Sequence, residues 1–140
     1  MKRTLKAYAR SWRMKEPFVI ARGSQSMVDA VVVELSEKGV VGRGEAVGVP
    51  YRGETPATLM VDIGRVSEAI QEGADRQELL LLMPAGGARN ALDAALWDLE
   101  AKLGGLRAWQ RAGMAQGGAV TTALTIGIRP VAAYEQAAAR

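Results

Sequence analysis

The sequence predicts an α+β fold in which a three-stranded antiparallel meander precedes a bundle of helices, with a further strand and the start of a helix at the end. Three observations predict it. Segments with strand patterns come first and are joined by short turns. A long segment with helical apolar spacing, Gly86–Gly105, follows them. An apolar strand pattern, Val120–Ile128, then arrives after all the helices.

The first third of the chain has the patterns of strands. Apolar and polar residues alternate over Thr4–Trp12, as expected for a half-buried strand. Pro17 interrupts this alternation, and we predict an ordered loop over Phe18–Met27. Val28–Leu35 is apolar on both faces, and Val40–Val47 returns after a glycine-containing turn. Together these segments predict the meander.

The middle of the chain carries signals for helix boundaries. Thr55 and Pro56 suit the N-cap and the first position of a helix that ends near Gly73. Asp75 can open a capping box for a short helix that runs to Met83. Two helices are therefore expected before the long one.

The segment Gly86–Gly105 predicts one helix with both ends marked. Its apolar stripe consists of Leu92, Ala95, Leu96, Leu99 and Leu103. Gly104 is placed to be the left-handed residue that ends the helix. Alanines on the same helix would let a neighbouring backbone approach closely. A weak helical turn is expected over Ala108–Ala112, and Pro130 can begin a further helix.

Composition removes several classes of chemistry. The 140 residues suit one ordinary domain, and they include no cysteine and no histidine. Disulfides, thiolate or histidine-ligated metal sites and Ser-His-Asp catalysis are therefore excluded for this chain. No apolar run is long enough to cross a membrane, and Met1–Trp12 lacks the apolar core of a signal peptide. We expect a cytoplasmic protein with no membrane partner.

The charge pattern is mildly basic, with a formal net charge of +3. Basic residues cluster early in the chain, at Lys2, Arg3, Lys6, Arg10, Arg13, Lys15 and Arg22. Nucleic-acid binding would need this stripe together with stacking aromatic residues. A solvated strand face explains the cluster better, and we expect no nucleic-acid partner.

Two loops offer candidate ligand-binding side chains. Arg22 lies beside the permissive backbone of Gly23, which suits recognition of a carboxylate. Tyr51 and Arg52 lie in a segment rich in turn-forming residues. Without further information, each loop is better explained as surface. The glycine-rich Gly42–Gly48 lacks the spacing and following helix of a dinucleotide-binding motif, and we predict strand and turn there.

Three stretches resemble the N-terminal capping domain of the enolase superfamily: FVIARGS (Phe18–Ser24), GRGEAV (Gly42–Val47) and ARNALDAALWDLEAK (Ala88–Lys102). The resemblance runs from about residue 3 to about residue 131. It is closest to the muconate-lactonizing subgroup and, because of the IARGS loop, to the L-Ala-D/L-Glu dipeptide epimerases. It implies that residues 1–118 form the capping domain and that residues 119–140 begin a (β/α) barrel, with its first strand and part of its first helix.

The resemblance also implies an activity. Enzymes of this type are isomerases whose barrel carboxylates hold Mg²⁺ while two lysines move the α-proton of the substrate through an enediolate. Their capping loops close over the substrate, which here would be a small dipeptide with an acidic side chain. By position, Arg22 would pair with the glutamate side-chain carboxylate and Thr125 would line the pocket. Tyr51 and Arg52 would belong to the second closing loop.

The sequence departs from the family pattern in two ways. The second loop reads Pro50-Tyr51-Arg52-Gly53 where the family usually has Pro-Arg-Tyr-Gly, so the roles of Tyr51 and Arg52 stay open. The five lysines include no Lys-x-Lys pair, and a complete barrel needs roughly 250 residues. We therefore expect no catalytic residues and no metal ligands here. The chain would be the front part of a truncated enzyme, completed by a missing barrel or assembled as a homo-oligomer.

Other functions stay open. A stand-alone module could use the Arg22 loop to bind acidic peptides without catalysis. Another enzyme of the muconate-lactonizing type, such as a cycloisomerase or an o-succinylbenzoate synthase, would share the helix motif. The basic strand as a nucleic-acid patch is a further alternative.

Overall fold

A computed structural model describes residues 3–139, so Lys2 of the basic cluster and Arg140 of the predicted last helix lie outside the described residues. The chain divides into two compact units. The first contains the chain up to Arg10 together with Asp29–Gly117, and the second contains Ser11–Val28 together with the chain from Gly118. The first two strands contribute residues to both units.

Three strands form one antiparallel sheet in the order β1-β2-β3. They are β1 (Thr4–Ile20), β2 (Gly23–Glu37) and β3 (Val40–Val47). In the register of β2 with β3, Ala30 lies opposite Val47 and Glu37 lies opposite Val40. The predicted meander is confirmed.

The predicted loop over Phe18–Met27 is wrong. Strand β1 continues through Pro17 to Ile20, and β2 already begins at Gly23. Only Ala21 and Arg22 remain as a turn. The prediction failed because β1 is at the edge of the sheet, where a proline need not donate a hydrogen bond to a neighbouring strand.

The helices confirm most of the predicted boundaries. The Thr55 side chain accepts the Thr58 N–H at the start of the first helix, and Gly73 ends that helix with a left-handed φ of 115°. Asp75 and Glu78 form the capping box of the next. The helices of the first unit are α1 (Pro56–Glu72), α2 (Arg76–Leu82), α3 (Gly87–Leu103) and α4 (Ala108–Arg111).

The C-terminus of α3 differs from the prediction by one residue. Gly104 is right-handed, with φ of −83°, and Gly105 is the left-handed residue, with φ of 66°. Gly104 continues the helical turn because its N–H bonds to the Glu100 carbonyl, so the chain reverses only afterwards. Leu103, which was expected in the apolar stripe, is 37% exposed because it is the last residue of the helix.

The core of the first unit lies between the sheet and the helices. Its largest fully buried side chains are Val31, Val33, Leu35, Leu59, Ile63, Ile70, Leu79, Leu92, Leu96 and Leu99. Gly42 and Gly44 of β3 face α3 so closely that no space is left for a side chain. A Cβ at Gly42 would lie 2.5 Å from the Leu99 nitrogen, and one at Gly44 would lie 2.7 Å from the Ala95 nitrogen. Strand and helix therefore pack backbone against backbone, as the alanines of α3 predicted.

The predicted strand over Val120–Ile128 is wrong. Within the described residues, this segment has no regular secondary structure, and its Ile128 N–H donates a single bond of 2.7 Å to the Val19 carbonyl of β1. A strand needs a ladder of such bonds. The predicted helix after Pro130 does form, as a 3₁₀ turn at Val131–Ala133 followed by α5 (Tyr134–Ala138). No described helix is long and apolar enough to cross a membrane.

Candidate functional site

Arg22 lies at the tip of the β1–β2 hairpin, in the second compact unit. Its side chain is exposed, as are its neighbours from Ile20 to Met27. Gly23 follows with φ of 148°, a conformation that favours glycine and closes the turn. An exposed guanidinium at such a tip can donate two parallel hydrogen bonds to a carboxylate.

Thr125 is exposed and belongs to the same compact unit as the hairpin tip. The residues after it are held to β1. A Cβ at the buried Gly127 would lie 3.2 Å from the Val19 carbonyl oxygen. The Arg129 guanidinium pairs with the Glu16 carboxylate at 3.2 Å. The segment that carries Thr125 is therefore tied to β1 a few residues before the hairpin tip.

The second predicted loop forms a tight turn in the first compact unit. Residues Pro50–Arg52 make one 3₁₀ turn, in which the Arg52 N–H donates to the Val49 carbonyl at 2.9 Å. Gly53, with φ of 71°, closes it. Tyr51 is 89% exposed. The turn thus displays the phenol to solvent.

Glu54 is the residue of this loop that sequence reasoning missed. Its Oε2 accepts the Val49 N–H at 2.9 Å, and its Oε1 accepts the Gly87 N–H at 3.1 Å. Gly87 is the first residue of α3. The signal that could have revealed this contact was the pair of glycines at the start of α3, which leaves the first N–H of the helix open to a carboxylate.

Hydrogen bonding holds the pKa of the Glu54 carboxyl below its ordinary value. The bond from Val49 contributes most and the bond from Gly87 follows, while partial burial acts in the opposite direction. The positive charge of Arg52 lowers the pKa further. The positive charge of Arg52 therefore favours the ionised form of the Glu54 carboxyl.

A cavity of about 390 Å³ lies beside Glu54, between the loop and the start of α3. Its charged lining consists of Glu45, Arg52 and Glu54. The Asn90 amide also lines it and donates to the Glu45 carbonyl at 3.4 Å. Arg89 of α3 shares a second cavity with Glu54, of about 290 Å³. Both signs of charge are present, so the cavity by itself selects neither an anion nor a cation.

Asp98 and Lys102, one turn apart on α3, form an ion pair at 2.6 Å. It also joins α3 to β3. The Asp98 carboxylate accepts the Arg43 N–H at 2.8 Å, and the Lys102 ammonium donates to the Val41 carbonyl at 2.9 Å. These charges stabilise the packing of helix on strand.

Between residues 3 and 139, no three acidic side chains lie close enough together to hold a metal ion.

The sequence matches the family "Mandelate racemase / muconate lactonizing enzyme, N-terminal domain" over residues 2–113. The chain belongs to this family. It is 49% identical over 100 residues to L-Ala-D/L-Glu epimerase of Escherichia coli K12. The aligned region covers 71% of this chain and 31% of that protein. The chain thus spans about a third of the length of the curated relatives that it matches.

Solved structures give the same fold. A dipeptide epimerase from Methylococcus capsulatus, complexed with Mg and L-Arg-D-Lys, matches with a TM-score of 0.83 and 29% identity, over 99% of this chain and 42% of that one. An enolase family member from Agrobacterium tumefaciens, with bound sodium and L-Ala-L-Glu, matches with a TM-score of 0.75 and 38% identity, over 81% and 35% of the two chains. The sheet and helices are those of the capping domain of the enolase superfamily.

The predicted site residues fall into two pairs. Arg22 and Thr125 belong to the second compact unit, whereas Tyr51 and Arg52 belong to the first. Within each pair, the elements described above fix the backbone that carries the side chains.

Proposed function

We propose that this chain is the N-terminal, substrate-closing part of a Mg²⁺-dependent dipeptide epimerase of the L-Ala-D/L-Glu type. The 49% identity to the Escherichia coli epimerase carries the proposal. The dipeptide-bound relatives support it further. In this proposal, the Mg²⁺ ligands and the proton-transferring lysines lie in sequence outside this chain, because the chain spans only about a third of its relatives.

The proposal includes a division of the chain. Residues 1–118 are the capping domain, and residues 119–140 are the start of the barrel. Two observations support a border here: the family match ends at residue 113, and the unit that contains α1 to α4 ends at Gly117. A cytoplasmic location and completion by a barrel or a homo-oligomer belong to the same proposal, with neither nucleic acid nor membrane as a partner.

Four side chains carry the proposed substrate contacts. Arg22 pairs with the acidic side chain of the dipeptide, and its exposed place at a hairpin tip supports this role. Thr125 lines the substrate pocket from the same compact unit. Tyr51 and Arg52 contact the ligand from the second loop, where Tyr51 is 89% exposed and Arg52 is also exposed.

A chimeric enzyme tests the proposal. Residues 2–113 of this chain replace the matching part of the Escherichia coli epimerase, and exchange of the α-proton of L-Ala-L-Glu is followed in D₂O. We expect exchange in the chimera and a large rise in KM when Arg22→Ala removes the guanidinium. Arg13→Ala, an exposed arginine on β1, is the matched control. A folded chimera without exchange would contradict the proposal.

The second candidate function is binding of acidic peptides without catalysis, favoured by the same exposed Arg22. Calorimetry on the 140-residue chain separates it from the first. Affinity for L-Ala-L-Glu that is lost with L-Ala-L-Gln and with Arg22→Ala would support a binding module. Absence of measurable binding by the folded chain would exclude it.

A further inference from the structure

The loop from Gly48 to Thr55 must reverse the chain between β3 and α1 in a few residues. Its internal backbone bonds are the two of the single turn at Pro50–Arg52 and a longer one, of 3.3 Å, from the Glu54 N–H to the Val49 carbonyl. One short 3₁₀ turn is weak by itself, because it fixes several backbone dihedrals for few hydrogen bonds. Something else must fix where this turn lies.

The Glu54 carboxylate supplies a bridge to the rest of the unit. One oxygen accepts the N–H of Val49 at the start of the loop, and the other accepts the N–H of Gly87 at the start of α3. A carboxylate is also favoured at a helix N-terminus by the helix dipole. Both oxygens are therefore used, each by one backbone donor.

Glycines on both sides leave room for this bridge. A Cβ at Gly86 would lie 2.7 Å from Glu54 Oε1, and one at Gly48 would lie 2.6 Å from the Glu54 carbonyl oxygen. Gly48 has no positive φ, and the φ of 168° at Gly86 is extended backbone that any residue adopts, so neither glycine is needed for its backbone conformation. A side chain at Gly48 would collide with the Glu54 backbone, and one at Gly86 would displace the Glu54 carboxylate from its bonds.

We propose that Glu54 is the positioning residue of the second loop: its carboxylate fixes the turn at Pro50–Arg52 to the first residue of α3 and so sets where Tyr51 is presented. The contact of Tyr51 with a dipeptide rests on the proposed function. The anchoring of the turn by Glu54 does not, and the two are tested separately.

Hydrogen exchange on the 140-residue chain at neutral pH tests the anchoring. In Glu54→Gln, the amide offers one acceptor oxygen to two N–H donors, so one donor faces an NH₂ group. We expect the amides of Arg52, Gly53 and Gly87 to exchange about tenfold faster or more. The core amide of Ile63 should keep its rate.

Two further variants complete this test. Glu54→Asp keeps both acceptor oxygens on a side chain shorter by one methylene, and we expect it to restore part of the lost protection. Glu68→Gln, an exposed change on α1, should leave all of these amides as they are. Unchanged exchange in Glu54→Gln, or acceleration spread evenly over the whole unit, would overturn the proposal.

Kinetics in the chimeric epimerase test the link to substrate. Glu54→Gln should raise KM for L-Ala-L-Glu and leave kcat nearly unchanged, because the loop presents a binding side chain and takes no part in proton transfer. A fall in kcat at constant KM would refute this link. An inactive parent chimera would count against the proposed function, while the exchange experiment would still decide the role of Glu54.

Discussion

Gly44→Ala should destabilise the first compact unit, whereas Gly64→Ala should stabilise it. Both substitutions add one methyl group to a glycine whose φ is not positive. At Gly44, on β3, the new Cβ would meet the backbone of α3, at Ala91 and Ala95. At Gly64, on α1, no atom outside its own helix turn lies within 4 Å of the added Cβ.

The magnitudes follow from these surroundings. The atoms in the way at Gly44 are a carbonyl oxygen and an amide nitrogen of a buried helix, which cannot rotate aside as a side chain can. Overpacking of this kind costs about 1–3 kcal/mol, and we expect the upper part of that range. Gly64 is exposed within a helix, where alanine is favoured over glycine by about 0.5–1 kcal/mol. The two variants should therefore differ by about 3 kcal/mol in the free energy of unfolding.

Urea denaturation followed by far-UV circular dichroism measures both changes. The midpoint should move down for Gly44→Ala and up for Gly64→Ala, with the slope unchanged if the surface exposed on unfolding is the same. A Gly44→Ala protein as stable as the parent would show that β3 and α3 are not in backbone contact. Destabilisation by Gly64→Ala would refute the assignment of that residue to an open helix surface.

Two further changes test the charged contacts. Folding lowers the pKa of the Glu54 carboxyl, so the ionised carboxylate stabilises the folded protein. This contribution is complete above the ordinary pKa near 4.5, and it is lost as the pH falls below 4.5 and through the lowered pKa. The protection factors of the second-loop amides, which are corrected for the pH dependence of intrinsic exchange, should therefore fall in this acid window, and Glu54→Gln should remove that fall. Arg76→Lys should lower the free energy of unfolding by about 1 kcal/mol, since Arg76 stacks 3.5 Å from the Trp97 ring centroid and donates to both Glu100 carboxylate oxygens. A value within error of the parent protein in urea denaturation would contradict this.

The helices were predictable because their signals are local. Thr55 and Asp75 cap their helices as their side chains indicate, and the spacing of Leu92, Leu96 and Leu99 gives the buried face of α3. The two wrong predictions, the loop over Phe18–Met27 and the strand over Val120–Ile128, depend on which segment lies next to a strand. Nothing in the sequence around Pro17 says that β1 is an edge, where proline is tolerated.

The candidate site was predictable only in part for the same reason. The exposed positions of Arg22 and Tyr51 agree with loops rich in turn-forming residues. The bridge from Glu54 to Gly87 joins residues 33 positions apart, and no local pattern encodes such a distance. Likewise, the apolar alternation after Gly118 predicts a strand without saying whether a neighbour is there to pair with it.

Arg3 has a consequence for synthesis on the ribosome. Its guanidinium donates to the Glu37 carboxylate and to the carbonyls of Ile70 and Ala74 at the end of α1. The beginning of the chain therefore cannot complete its bonds until the residues up to Ala74 have been translated. Until α3 has also left the exit tunnel, no helix packs on the apolar face of the nascent sheet. Leu35 then stays accessible to chaperones. Folding of this unit thus waits for α3, although its sheet is the first part to be made.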